Sequence, residues 1–145
     1  LVLQDTAAEA TISNIWGTSS FLLFFFYLNE PQFGSSGDDC IAYLFATLDG
    51  VSKVGSFTHT NGTDSVIDCG FSSGARFVLI KATSRTSDWA VFDTERGLVA
   101  GDDAYLNLND TSAEGSADLI DPSSGGFTLP GSAWSTRDVI FYAIA

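Results

Sequence analysis

The sequence is dominated by short runs of apolar, β-branched and aromatic residues, each ending at a cluster of Gly, Ser, Asn or Asp. Such runs are typical of short strands joined by tight turns. No window carries the apolar spacing of an amphipathic helix, and residues 7–10 could hold one helical turn at most. The pattern predicts strands in the second part of the chain at 53–58, 66–71, 76–81, 89–93, 105–109, 126–129 and 139–145.

Strands this short and closely spaced predict an all-β fold, an antiparallel β-sandwich or a jelly-roll-like arrangement. Asn61-Gly62 follows the first of these strands, and this dipeptide favours a hairpin because both residues tolerate positive φ. A second turn is expected at 72–74, before the apolar run RFVLIK.

Two pairs of similar segments occur in the same order along the chain. LVLQDTAAE at 1–9 matches LNLNDTSAE at 106–114, and GDDCIAYLFA at 37–46 matches TRDVIFYAIA at 136–145. Two collinear matches indicate a repeat. We therefore expect residues 1–46 to be the back half of a first β repeat and 51–145 to be a complete second repeat, joined by the turn-like residues 47–50.

The front half of the first repeat is missing from this arrangement. Either a longer chain precedes Leu1, or a neighbouring subunit supplies the absent strands in the manner of strand donation.

One run consists of eight consecutive large apolar residues, whereas its counterpart in the second repeat, around 126–130 (GFTLP), is far less apolar. Exposed, such a run would promote aggregation, so it needs cover on both faces. It is either an internal strand or a subunit interface formed by Phe21, Leu22, Leu23, Phe24, Phe25, Phe26, Tyr27 and Leu28.

The chain is strongly acidic, with 18 Asp and Glu against 6 Lys and Arg and a net charge of −12. This charge argues against nucleic acid as a partner, because a binder must neutralise phosphates. The longest apolar run is far shorter than the roughly 20 residues of a spanning helix, so no membrane insertion is expected. An acidic surface suits solubility, a bound cation, or a neutral or basic partner such as a glycan.

The residues that could carry chemistry are few. The single histidine, His59, lies in the polar stretch THTNG and is expected to be solvent-exposed in a turn rather than catalytic. The acid pairs Asp93 with Glu95 and Asp102 with Asp103 are expected to be solvated turn residues rather than a glycosidase pair. No enzymatic activity is therefore expected. Cys40 and Cys69 are either buried free thiols or one disulfide.

A calcium ion is the one cofactor that the sequence suggests, and otherwise none is expected. Asp102 and Asp103 follow a Gly, and Asn107, Asn109 and Asp110 lie just beyond, which supplies oxygen ligands on a loop. The spacing is not that of an EF-hand.

Tryptophans suggest a ligand site, because sugars present C–H faces to aromatic rings and hydroxyls to polar side chains. Trp134 lies in the polar, loop-like string GSAWSTRD, and Trp16 in NIWGT. Both are candidates for glycan binding, and simple packing in the core is the alternative for each.

Several strings resemble a repeat domain of uncharacterised function in tail-fibre-like proteins of tailed bacteriophages, where it often adjoins lectin-like modules of laminin G or concanavalin type. They are GVSKVGSFT, IDCGFSSGARFVLIK, SDWAVFDTERGLVAGDDAYLNLN and DVIFYAIA, with LVLQDTAAE and DDCIAYLFA in the first repeat. The resemblance omits residues 21–36.

This resemblance implies a virion structural or adhesive protein on the extracellular face of the particle. Its partners would be copies of itself, with a trimer by analogy to fibres, other virion proteins and a host-surface glycan. The alternative is a purely structural subunit that decorates a particle or forms a filament and binds no host ligand.

Overall fold

A computed structural model describes residues 43–145, which are built from nine short strands. The strands are β1 Ser52–His59, β2 Ser65–Asp68, β3 Phe77–Ala82, β4 Ala90–Asp93, β5 Asp103–Asn107, β6 Gly115–Ala117, β7 Asp121–Ser123, β8 Gly126–Leu129 and β9 Arg137–Ile144. No helix occurs among these residues, and hence none that could span a bilayer. The predicted all-β class is confirmed.

The strands form two antiparallel sheets. The larger has the order β1-β9-β3-β4-β5-β6, and the smaller has the order β2-β8-β7. The last strand, β9, therefore lies between the first strand and β3, with Ser52 opposite Ile144 on one side and Phe77 opposite Ile144 on the other.

The two sheets pack face to face as a β-sandwich. Phe127 of β8 meets Phe141 of β9 with ring centroids 5.2 Å apart and planes at 79°, the edge-to-face geometry that aromatic rings favour. In β3, Val78 and Ile80 face the smaller sheet and belong to the same buried cluster. The side chains that alternate with them face the other way. Phe92 of β4 also lies there, and Phe57 of β1 and Tyr105 of β5 pack against this core as partly buried side chains.

The opposite face of β3 and β9 is largely apolar as well, although it also buries Lys81. Leu79 is buried there, and the Tyr142 ring lies 4.5 Å from the Phe45 ring and 6.3 Å from the Phe77 ring. Central strands with apolar side chains on both faces read as continuous apolar runs. This explains why RFVLIK and VIFYAIA lack the alternation seen in strands with one solvated face.

All seven strands predicted for this part of the chain are present, with ends shifted by a few residues. The two that were missed, β6 and β7, have three residues each and read GSA and DPS. Neither contains a β-branched or aromatic residue, so neither carries the composition that indicates a strand.

The hairpin predicted at Asn61-Gly62 is wrong, although the turn exists. Gly62 has a φ of 82°, as a tight turn requires. However, β1 pairs with β9 and β2 pairs with β8, so the turn carries the chain from one sheet to the other. The turn residues fix the change of direction, and distant partners decide which sheet each strand joins.

The domain boundary at residues 47–50 stays a prediction. Residues 45–145 belong to one compact unit, in which Gly50 has a positive φ in a turn leading into β1. The half repeat predicted for residues 1–46 falls almost entirely outside the described residues, as do Trp16, Cys40 and the interface predicted at residues 21–28.

Candidate binding site at the Trp134 corner

Three loops meet at one end of the sandwich: 60–64 between β1 and β2, 83–89 between β3 and β4, and 130–136 between β8 and β9. The backbone amide of Asn61 donates to Thr136 Oγ1 at 3.1 Å, which ties the first loop to the third. Arg85 Nη1 donates to Ser135 Oγ at 2.8 Å, which ties the second to the third. We call Arg85, Trp134, Ser135 and Arg137 the Trp134 corner.

The loop that carries Trp134 is held by polar contacts with His59, Gly62 and Asp64. His59 Nε2 donates to the Trp134 carbonyl at 3.1 Å, and the Gly131 amide donates to Asp64 Oδ1 at 2.8 Å. Gly62 adds an amide bond to the Gly131 carbonyl at 2.7 Å. A loop fixed at several points loses less entropy when it binds a ligand, so this corner is preorganised.

The expectation that His59 is solvent-exposed is wrong. It ends β1 with 0% exposure. Its Nδ1 contacts Ser65 Oγ at 2.9 Å, and because the Trp134 carbonyl can only accept, the Nε2 carries the proton. His59 is therefore a buried brace for the loop. Its surrounding residues are polar in sequence, and the groups that cover it come from positions as distant as Trp134.

Trp134 is half-buried, not the freely exposed ring that its polar neighbours suggested. One side of the indole packs against the sandwich core. The Arg137 guanidinium carbon lies 4.8 Å from the ring centroid, within the range of a cation–π contact. The ring thus contributes little open surface, and its main effect is to hold Arg137 in one orientation.

Arg85 and Arg137 converge on one serine. Arg137 Nη2 and Arg85 Nη1 each donate to Ser135 Oγ at 2.8 Å, and Arg137 Nε donates to the Ser135 carbonyl at 2.9 Å. Burial lowers the pKa of Arg137, and the charge of Arg85 lowers it further. Neither arginine forms a salt bridge with a carboxylate within residues 43–145.

Sequence reasoning proposed Trp134 as a site residue and did not single out either arginine. Arg137 lies three residues from Trp134, but no local signal in TSRTSD at 83–88 singles out Arg85.

Asp102 and Asp103, the residues predicted to bind calcium, have different environments. Asp102 is exposed, whereas Asp103 is fully buried, so the expectation of two solvated turn acids is wrong for Asp103. Asp103 Oδ1 accepts the Val99 amide at 3.0 Å, and Oδ2 accepts the amides of Ile120 at 3.0 Å and Leu119 at 3.4 Å. Burial raises the pKa of Asp103 despite these bonds.

The remaining oxygen ligands suggested for calcium also hold the fold together. Asn109 accepts the Trp89 amide at 2.7 Å and donates to Asp88 at 2.8 Å, while Asp110 accepts the Ser112 amide at 2.8 Å. Within residues 43–145, no three His, Cys, Asp or Glu side chains come together as a metal site. Calcium stays a prediction.

The acid pair Asp93 and Glu95 also takes part in a turn. Asp93 accepts the backbone amide of Arg96 at 2.8 Å and forms an ion pair with its guanidinium. Cys69 is a buried free thiol, the first of the two states left open by the sequence.

Comparisons with known proteins add a family to this description. Searches of curated proteins and of solved structures gave no significant match. A family model described as a domain of unknown function (DUF7483) matches residues 1–143, nearly the whole chain. The chain therefore belongs to the DUF7483 domain family.

Proposed function

We propose that this chain is a non-enzymatic, tail-fibre-type module on the extracellular face of a virion, binding a host-surface glycan at the Trp134 corner and neighbouring subunits elsewhere. The observation that carries the proposal is the corner itself: an aromatic ring, two guanidinium groups and hydroxyls at a point where three loops are tied together. Loops at the end of a rigid sandwich are where such folds commonly place ligand sites.

The polar groups at the corner match the chemistry of sugars. Sugar hydroxyls accept from guanidinium N–H groups and from the Ser135 hydroxyl, and they donate to oxygens such as Thr136 Oγ1. The exposed part of the Trp134 indole offers a partial apolar surface for a sugar C–H face. Binding with few buried contacts would be weak per copy, which suits a fibre that engages a surface through many copies.

A binding role rather than catalysis is supported by His59. Its two ring nitrogens already contact Ser65 and Trp134, and the side chain is fully buried. A general base must reach the proton that it removes, either directly or through one water molecule. His59 in this position braces a loop instead.

A glycan array with the soluble chain tests the proposal. We expect wild type to bind a subset of the glycans on the array. Trp134→Ala should bind the same glycans at least about tenfold more weakly, since the ring orients Arg137. Arg76→Gln is the control. Arg76 lies just before β3 and Arg85 lies after it, so the two arginines are at opposite ends of that strand. A wild-type protein that retains no glycan, or a folded Trp134→Ala variant with unchanged binding, would contradict the proposal.

A purely structural, self-assembling subunit is the second candidate, and a specific observation favours it. Leu48, Val51 and Val54 lie together at the start of β1 with 60%, 50% and 41% exposure. Phe45, which is half exposed, adds to this group, which we call the β1 patch. Contiguous exposed apolar side chains commonly mark protein interfaces.

A further inference from the structure

We infer that the Trp134 corner is an oxyanion site, in which Arg85, Arg137 and the Ser135 hydroxyl together bind a sulfate, phosphate or carboxylate group. This inference rests on the proposed function in one respect: the oxyanion is taken to be a substituent of the bound glycan. The groups that would hold the oxyanion all belong to the Trp134 corner.

The first argument is the proximity of two like charges. Both guanidinium groups contact the same oxygen, Ser135 Oγ, at 2.8 Å, so they are immediate neighbours. Like charges held this close repel each other, and the repulsion is relieved when an anion binds between them. The lowered pKa of Arg137 has the same cause in part.

The second argument is the excess of donors. Arg85 uses one N–H donor in the contacts described, and Arg137 uses those at Nε and Nη2, so most of their N–H groups stay available. Ser135 Oγ accepts from both arginines, which leaves its own O–H free to donate. Donors without acceptors around one point are complementary to an oxyanion, and the planar guanidinium matches it with paired bonds.

The acids near the corner are already engaged on other groups. Asp64 accepts the Gly131 amide beneath the loop, at 2.8 Å. Asp138 accepts the Thr58 hydroxyl at 2.7 Å and, as the neighbour of Arg137 in β9, projects from the other face of the sheet. Neither forms an ion pair with Arg85 or Arg137.

The acidity of the whole chain does not prevent anion binding at this point. Exposed charges farther away than the Debye length, about 8 Å at physiological ionic strength, are largely screened. Two guanidinium groups in contact with the ligand dominate over distant carboxylates.

The test is a titration of the ¹⁵N-labelled chain with sodium sulfate, sodium phosphate or sodium acetate, with sodium chloride at matched ionic strength as the reference. We expect sulfate to shift the side-chain N–H signals of Arg85 and Arg137 and the amides of residues 134–137. Arg85→Gln should weaken sulfate binding by roughly tenfold, as expected for loss of a charge-assisted bond.

Two further variants keep the test decisive. Arg85 is exposed, and its one side-chain hydrogen bond in the described residues is to Ser135, so Arg85→Gln is expected to fold, and Arg85→Lys should retain part of the affinity. Arg76→Gln should bind sulfate like wild type. Shifts that map elsewhere, or equal binding by wild type and Arg85→Gln, would overturn the inference.

Sulfated and neutral dextran oligosaccharides separate this inference from the proposed function. Tighter binding of the sulfated form, lost in Arg85→Gln, supports both. Sulfate binding at the corner without retention of any glycan supports the oxyanion site and removes the glycan function. Equal binding of both dextrans at Trp134, unaffected by Arg85→Gln, supports the glycan function and overturns the oxyanion site.

Discussion

Single residues decide how the polar loops of this sandwich are held, and Asp103 is the clearest case. Its buried carboxylate satisfies backbone amides from two separate loops, at Val99 and at 119–120. We expect Asp103→Ala to lower the free energy of unfolding by about 3 kcal/mol or more, because each orphaned buried amide costs about 1–3 kcal/mol. Chemical denaturation measures the change.

The neighbouring Asp102 supplies the control. It is exposed, so Asp102→Ala should change stability by no more than about 0.5 kcal/mol. Equal effects of the two substitutions would show that the Asp103 contacts do not support the fold.

The raised pKa of Asp103 gives a pH dependence with a definite sign. Because the folded state holds its proton more tightly than the unfolded state, the contribution of this group to stability is fully present below the unfolded pKa. It is lost as pH rises through the folded pKa. The free energy of unfolding of wild type minus that of Asp103→Asn should therefore decrease as pH rises from about 3. A difference that grows with pH would contradict this environment for Asp103.

The buried thiol of Cys69 should be chemically inert in the folded protein. It is 6% exposed, and burial raises its pKa to about 11, so little thiolate forms at pH 8. In a Cys40→Ser variant, which leaves one thiol, we expect no reaction with a disulfide reagent at pH 8 until denaturant is added. Fast labelling of the native protein would place Cys69 at the surface.

At the scale of elements, a loop that connects the two sheets packs its backbone tightly against the backbone of another strand. Gly74, between β2 and β3, has a φ of 82°, and a Cβ there would overlap the Ser123 carbonyl oxygen. Gly74→Ala should cost about 3 kcal/mol, from the positive φ and the overlap together. Thermal and chemical unfolding both report this change.

Gly70 separates these two contributions. Its φ is 73°, but a Cβ there would meet nothing within 4 Å. Gly70→Ala should therefore cost only the conformational part, about 1–2 kcal/mol. A Gly70 substitution that costs as much as the Gly74 substitution would show that steric contact with β7 contributes nothing.

The sequence predicts the strands much better than their pairing. Local composition identifies β3 and β9, because buried strands concentrate Val, Ile and Phe whatever their partners. Pairing of β1 with β9 depends on contacts between residues as distant as Phe57 and Val139, which no local pattern encodes. The Trp134 corner follows the same rule, since Arg85 and Ser135 come from loops 50 residues apart.

At the scale of the whole molecule, the β1 patch leads to a prediction about assembly. If it is a subunit interface, light scattering after size exclusion should give a mass above that of one chain, rising with concentration. A Leu48→Ser, Val51→Ser, Val54→Thr variant should shift to the monomer. Val66→Ser, at a side chain 68% exposed on the smaller sheet, is the control. A monomeric wild type at high concentration would remove the self-assembling alternative.

The position of β9 has a consequence for biosynthesis. A ribosome that adds about 5–20 residues per second releases β1 on the order of ten seconds before β9, and β1 has no other strand to pair with in residues 43–145 until then. The larger sheet cannot join β1 to β3 until β9, which begins at Arg137, has been synthesised. The apolar side chains of β1 and β3 that contact β9 therefore stay uncovered during this interval, in which exposed apolar strands are prone to aggregate.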